Sequence, residues 1–327
     1  MVSISSVTVQ VECADALDRR TDLLVLKYAQ DLYGVDAAVV NRMGRPLLSE
    51  LPGVADHLVM SGGPYIAATN VLFLGVPSLG TFTYRDIRSF GTRALSVAAS
   101  EDLWAREICM TLHGVGFGLD EVEAFRAEVA GILDAINTQA IAPLLERVTI
   151  LERDPKRAAR MTSILHKLKS GTGESGSSKP TTQNSWLLNA GLESVGFDSS
   201  ARPHAFVAMP FDANFGDLFH YGISPPLRAT GMICERMDEL SFTGDVVDMM
   251  RKRIRSARLV VGDLSSANPN VYLEVGYAWA AGAPTILLCD SRSDPLFDVR
   301  GQRYLRYTSI RDLEEKLTKE LVVLLSL

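Results

Sequence analysis

Short apolar runs bounded by polar residues or glycine recur along the first 150 residues: Val7 to Val11, Asp22 to Leu26, Val71 to Gly75 and Ile108 to Leu112. Runs of that length read as strands. Arg88 to Ala99 and Leu119 to Ile136 instead carry apolar residues at helical spacing, and Val122, Phe125, Val129, Leu133 and Ile136 form one stripe. The alternation predicts an α/β domain with crossover helices. Near His204 the pattern restarts. Ala205 to Met209, Leu259 to Gly262 and Thr285 to Cys289 read as strands, and Asp245 to Arg258, Tyr272 to Ala281 and Ser309 to Leu325 as helices. Leu313, Leu317, Leu321 and Leu325 repeat every four residues, and Ser309 with Asp312 has capping-box spacing. The βαβαβ order again implies a parallel sheet. Phe219 to Pro226, with His220 and Tyr221, reads as a loop.

Between the two bodies, Ser170 to Ser185 is a Gly/Ser/Thr run that has little apolar area to bury, so a flexible linker is expected. Ahead of it, Glu152 to Lys169 holds six Lys/Arg against two acids and reads as a connecting helix with a solvated basic face. The expected division is therefore 1–150, 151–202 and 203–327.

Composition narrows the function classes. A chain of 327 residues with 47% hydrophobic residues, 22% charged residues and a net charge of -6 has room for two cores and lacks the basic footprint of a general nucleic-acid binder. No apolar run is long enough to span a membrane and no leader pattern opens the chain, so a cytosolic location is expected. Cys13, Cys109, Cys234 and Cys289 show no metal-ligand spacing, so they read as buried thiols and no metal site is expected.

The chemistry concentrates at the strand ending in Asp263 and the segment Asn268-Pro269-Asn270-Val271-Tyr272-Leu273-Glu274-Val275-Gly276. Glu274 falls near a strand's carboxyl edge, where open α/β sheets bind ligands. A carboxylate there suits stabilisation or capture of an oxocarbenium-like C1 during glycoside cleavage. Asp263, Asn268 and Asn270 are candidates for ribose hydroxyls, and Met209, Phe211 and Asp212 for the rest of the substrate. Small residues at Gly276, Ala278, Ala280 and Ala281 suggest that the helix approaches the sheet closely. The same spacing also fits a plain reading in which Asp263 ends a strand, Asn270 caps a helix and Glu274 faces solvent.

His204-Ala205-Phe206-Val207-Ala208-Met209-Pro210-Phe211-Asp212, Asp245 to Arg258, Val260 to Gly276 and Ala283 to Leu288 together resemble the TIR-like branch of the nucleoside 2-deoxyribosyltransferase-like superfamily. The resemblance implies a flavodoxin-like fold that cleaves or binds N-glycosides, with Glu274 catalytic. The transferases carry an acid ahead of that Glu, whereas this chain has Ser265-Ser266-Ala267-Asn268. NAD fits that departure, because nicotinamide leaves its cationic glycoside as a neutral base and needs no proton. NAD is thus expected as substrate, with no cofactor; a nucleoside or nucleotide substrate and a non-catalytic nucleotide-binding adaptor are the alternatives.

In the first body, His113-Gly114-Val115-Gly116-Phe117-Gly118 is a Gly-rich turn between a strand and a helix, which fits a plain tight loop as well as a phosphate cradle. Together with Asp22, placed to accept from an adenine amine, and a second small loop, Tyr33-Gly34-Val35-Asp36, it resembles a macro domain of the leucine aminopeptidase N-terminal type. That resemblance implies binding of an ADP-ribose-like signal by Asp22, Gly34, Val35, Gly114, Gly116, Phe117 and Gly118. The joint expectation is a sensor and effector of bacterial antiphage defence, acting as a homo-oligomer.

Overall fold

The computed structural model describes residues 7–44, 50–170, 192–210, 213–237, 244–296 and 299–325. Phe211, Asp212 and the expected linker from residue 171 onward lie outside the described residues. The chain is mixed α/β and forms two compact units: one of residues up to 114 with 121–199, the other of 115–120 with 200–327.

The first unit runs β1 (Thr8–Cys13), β2 (Thr21–Tyr28), α1 (Val35–Met43), β3 (His57–Ser61), β4 (Ala68–Gly75), α2 (Tyr84–Ser100), β5 (Glu107–Thr111), α3 (Glu121–Asn137), β6 (Arg147–Glu152) and α4 (Pro155–Ser170). Its sheet order is β1-β6-β5-β2-β4-β3, parallel throughout except that β3 pairs antiparallel with β4. The central strands are apolar on both faces, as a sheet covered on both sides requires. Helix α2 starts at a capping box, with the Asp86 carboxylate accepting from Thr83 N at 2.8 Å. Helices α2 and α3 pack backbone to backbone: a Cβ at Gly91 would stand 2.6 Å from the Glu128 carbonyl oxygen. Arg88 ties later chain to this pair, donating to Asp134 at 2.6 and 2.8 Å and to the carbonyls of Leu192, Glu193 and Val195.

The second unit runs β7 (His204–Ala208), α5 (Ala213–Asp217), a π-helical turn (Leu218–Ile223), α6 (Ser224–Ala229), β8 (Ile233–Arg236), α7 (Gly244–Ser256), β9 (Leu259–Asp263), α8 (Pro269–Ala280), β10 (Thr285–Asp290), β11 (Tyr304–Tyr307) and α9 (Ile310–Leu325). All its strand pairs are parallel, in the order β11-β10-β9-β7-β8. Renumbered within the unit this is 2-1-3-4-5 read from the other edge, the doubly wound order whose switch point lies between first and third strands. One face of the sheet packs on the leucine stripe of α9 and the other on α7 and α8.

Four expectations change. Phe219 to Pro226 is helical: the π-helical turn Leu218–Ile223 runs directly into α6, which carries Pro225 and Pro226 next to its first residue, Ser224. Helix α1 begins at Val35, inside the expected small loop. Cys13 is exposed while the other three thiols are buried. The basic connecting helix is partly paired rather than wholly solvated: Arg157 and Arg160 bond Glu121. The edge strands β3, β8 and β11 are short or half-exposed, so their apolar signal is weak.

Candidate active site

Helix α8 begins where the β9 loop turns over. Asn268 is its N-cap, with Oδ1 accepting from Asn270 N at 2.9 Å, and Pro269 opens the first turn. Ala267, just ahead, holds a left-handed φ of 51°, a conformation a residue with a Cβ seldom adopts. The helix then packs across β9, β7 and β10, beside the switch point between β7 and β9. The close approach comes from the strand: a Cβ at Gly262 would meet Val275 Cγ2 at 2.5 Å. Gly276, Ala280 and Ala281, expected to supply that approach, are exposed instead.

Glu274 lies on the sheet-facing stripe of α8 with Val271, Val275 and Ala278 and is only 5% exposed. It makes no hydrogen bond or ion pair among the described residues. Burial alone pushes its carboxyl up to about 8. The solvent-facing reading of Glu274 is therefore excluded by its position.

Asp263 is otherwise engaged. It shares the sheet face of Val261 and Tyr307, opposite to α8, as strand alternation requires. Its Oδ1 accepts from Ser265 N at 2.8 Å and its Oδ2 from the Tyr307 hydroxyl at 2.8 Å. Burial holds this carboxyl above its usual range, against the pull of the Ser265 bonds and the Tyr307 bond. Ser265 Oγ lies 3.1 Å from the Tyr307 hydroxyl and accepts from Asp290 N at 2.7 Å. The strand ends of β9, β10 and β11 are thus knotted together.

Met209 directly follows β7 and packs on the α9 face of the sheet. Beside it stands Arg236 at the end of β8, its guanidinium 4.5 Å over the Phe219 ring and 3.7 Å from Met209 Sδ. Sequence reasoning missed Arg236 and Tyr307, since β8 and β11 are four-residue strands whose patterns do not stand out.

In the first unit the expected ligand residues fall apart. Asp22 opens β2, and its Oδ2 accepts from Arg106 N at 2.8 Å and Glu107 N at 3.0 Å. Gly34 and Val35 follow the other end of that strand, where Gly34 holds φ 60° as N-cap of α1 with nothing within 4 Å of a would-be Cβ. There Lys27 and Asp36 form a buried ion pair at 3.3 Å. Gly114, after β5, belongs to this unit, whereas Gly116, Phe117 and Gly118 group with the second, where Gly116 and Phe117 bridge to Met237. Positive φ at all three glycines lets the turn reverse repeatedly. Near Gly114, His113 stacks edge-on to Phe90 at 4.4 Å and its Nε2 is unpartnered. Glu128 on α3 is fully buried with neither carboxylate oxygen bonded; burial raises it far above the carboxylate range, and the neighbouring His113 N–H only partly opposes this.

No protein-family model and no curated protein matches the chain. Among solved structures it is similar to an Oceanobacillus iheyensis macrodomain with MES bound, at 15% identity over 51% of this chain and 94% of that one, with a TM-score of 0.42. It is similar to a Trypanosoma brucei macrodomain in complex with ADP, at 16% identity over 48% and 68%, with a TM-score of 0.40. A Clostridium botulinum CMP N-glycosidase is a third such structure, at 18% identity over 36% of this chain and 99% of that one, with a TM-score of 0.31. At these identities each likeness is one of fold alone.

Proposed function

We infer that the second unit cleaves N-glycosidic bonds and that Glu274 is the reacting carboxylate. The observation that supports this most is a carboxyl buried without counterion or hydrogen bond beside the switch point of a doubly wound sheet. Such a group costs stability, and buried unpaired polar groups in folded proteins usually have a functional explanation. With its carboxyl pushed up to about 8 by burial, Glu274 is mostly protonated at neutral pH. A glycoside bearing a fixed positive charge, as nicotinamide does in NAD, brings an opposite charge next to that carboxyl and favours its ionised form. The carboxylate then stands ready to stabilise or trap C1 as the neutral base departs. NAD is therefore the substrate of this reading. The first unit, with Gly34 facing open space at the start of α1, is the place for an ADP-ribose-like signal, and the pair forms a sensor and effector suited to antiphage defence.

The test incubates the full chain with NAD and, separately, with a pool of nucleosides and nucleotides, with and without ADP-ribose derivatives, and identifies products by mass spectrometry. Free nicotinamide that disappears in Glu274→Gln supports the reading. A free purine or pyrimidine moves the substrate to a nucleoside or nucleotide. Turnover unchanged by Glu274→Gln removes Glu274 from the chemistry.

A further inference from the structure

The Tyr307 hydroxyl bonds two residues that share no strand with it. It donates to Asp263 Oδ2 at 2.8 Å, at the end of β9, and lies 3.1 Å from Ser265 Oγ, the second residue of the loop that follows. Ser265 N in turn bonds Asp263 Oδ1, its hydroxyl receives Asp290 N from the end of β10, and Leu264 N bonds the Leu288 carbonyl at 2.9 Å. The start of the β9–α8 loop is therefore held from three strands, although β11 does not pair with β9. Three residues beyond Ser265 the chain caps α8, and Glu274 sits in the second turn of that helix. The left-handed Ala267 lies inside the clamped segment, where surrounding bonds must offset its strain.

We propose that Tyr307 is a positioning residue: through Asp263 and Ser265 it fixes the loop that launches α8 and so holds Glu274 in its mostly buried setting beside the switch point. The proposal rests on the reading of Glu274 as the reacting carboxylate, but its direct consequence is a property of that side chain that exists without turnover. Removing one hydroxyl frees the loop from β11, lets α8 shift outward and admits more water to a carboxyl that is mostly buried. Asp263, on the far face of the sheet, serves this clamp rather than a ribose hydroxyl.

The experiment compares wild type, Tyr307→Phe, Ser265→Ala and, as a control for lost packing, Leu305→Ala, which trims the same strand without touching the clamp. Each full-length protein, labelled with carboxyl-13C glutamate, is titrated by NMR, with the Glu274 signal assigned from its absence in Glu274→Gln. The midpoint is expected to fall by at least one pH unit in Tyr307→Phe and Ser265→Ala and to stay within a few tenths in Leu305→Ala. With NAD, kcat is expected to drop at least tenfold in the two clamp variants while KM stays within threefold. Midpoints that stay in place in both clamp variants, or move equally in Leu305→Ala, overturn the proposal. Moved midpoints in a protein that cleaves no N-glycoside uphold the clamp and reject the glycosidase reading; should Tyr307→Phe fail to fold, Ser265→Ala decides alone.

Discussion

Val275 occupies the space that a side chain at position 262 would need: its Cγ2 is 2.5 Å from the Cβ that Gly262 lacks. A β-branched side chain has little freedom to turn away, so the helix itself must yield. Gly262→Ala is expected to lift α8 from β9, cost about 1–3 kcal/mol as overpacking does, and lower N-glycoside turnover more than tenfold. Thermal unfolding and kinetics read the two effects. Gly276→Ala, at an exposed position with nothing within 4 Å, is expected to leave turnover unchanged and to raise the melting point slightly.

Much of this frame was legible in the chain. The strands of the second unit that carry the site, β7, β9 and β10, are mostly apolar runs buried on both faces, and the leucine stripe of α9 predicts the helix that covers them. Placement of Glu274 on a helix after β9 followed from the same pattern. Its burial did not, because a single carboxylate between Leu273 and Val275 reads equally as solvated, and only packing decides. Asp263 looked available because its partners are remote in sequence: Tyr307 lies 44 residues away on a short edge strand. Asp22 likewise met two backbone N–H groups 84 and 85 residues on, a pairing that strand register creates and local sequence does not announce.

The loop before α8 supplies a second test. Ala267 holds φ 51°, where glycine is favoured and a Cβ costs about 1–2 kcal/mol. Ala267→Gly is expected to be neutral to slightly stabilising, because relief of that strain is offset in part by the greater unfolded-state freedom of glycine. Ala267→Val should cost more than 1 kcal/mol, since branching at Cβ makes the left-handed region still less accessible. Chemical denaturation of the two variants against wild type measures the difference, and equal midpoints for both would contradict the strain.

Glu128 makes a prediction in the first unit. Its folded-state carboxyl is raised, so it favours the protonated form in the native chain and ionises more readily when unfolded. Its contribution to stability is present below the ordinary carboxylate range and is lost as pH rises toward its folded value. Glu128→Met removes both the buried oxygens and that dependence. The variant is expected to melt higher than wild type at pH 7, by an amount equivalent to about 1–3 kcal/mol, and to lose the advantage near pH 4. A lower melting point at pH 7 would show that the carboxylate has a partner in solution.

Glu274 combines stability and activity in one titration. Its folded carboxyl sits at about 8 because of burial, whereas an unfolded Glu ionises near 4.3. The protonated side chain therefore contributes its full stability below about pH 4, and that contribution drains away as pH rises through about 8. Gln mimics the protonated form at every pH. Glu274→Gln is expected to match wild-type stability near pH 4 and to exceed it by a few kcal/mol at pH 8 and above, while abolishing turnover. If the ionised carboxylate is the reacting form, kcat/KM for NAD in wild type should rise with pH up to about 8 and then level, because that ratio reports the free enzyme. The kcat profile should be flatter, since the bound cation already favours the ionised form. A kcat/KM that instead falls with a midpoint near 8 would assign Glu274 the role of proton donor, and with it a substrate whose leaving base must be protonated.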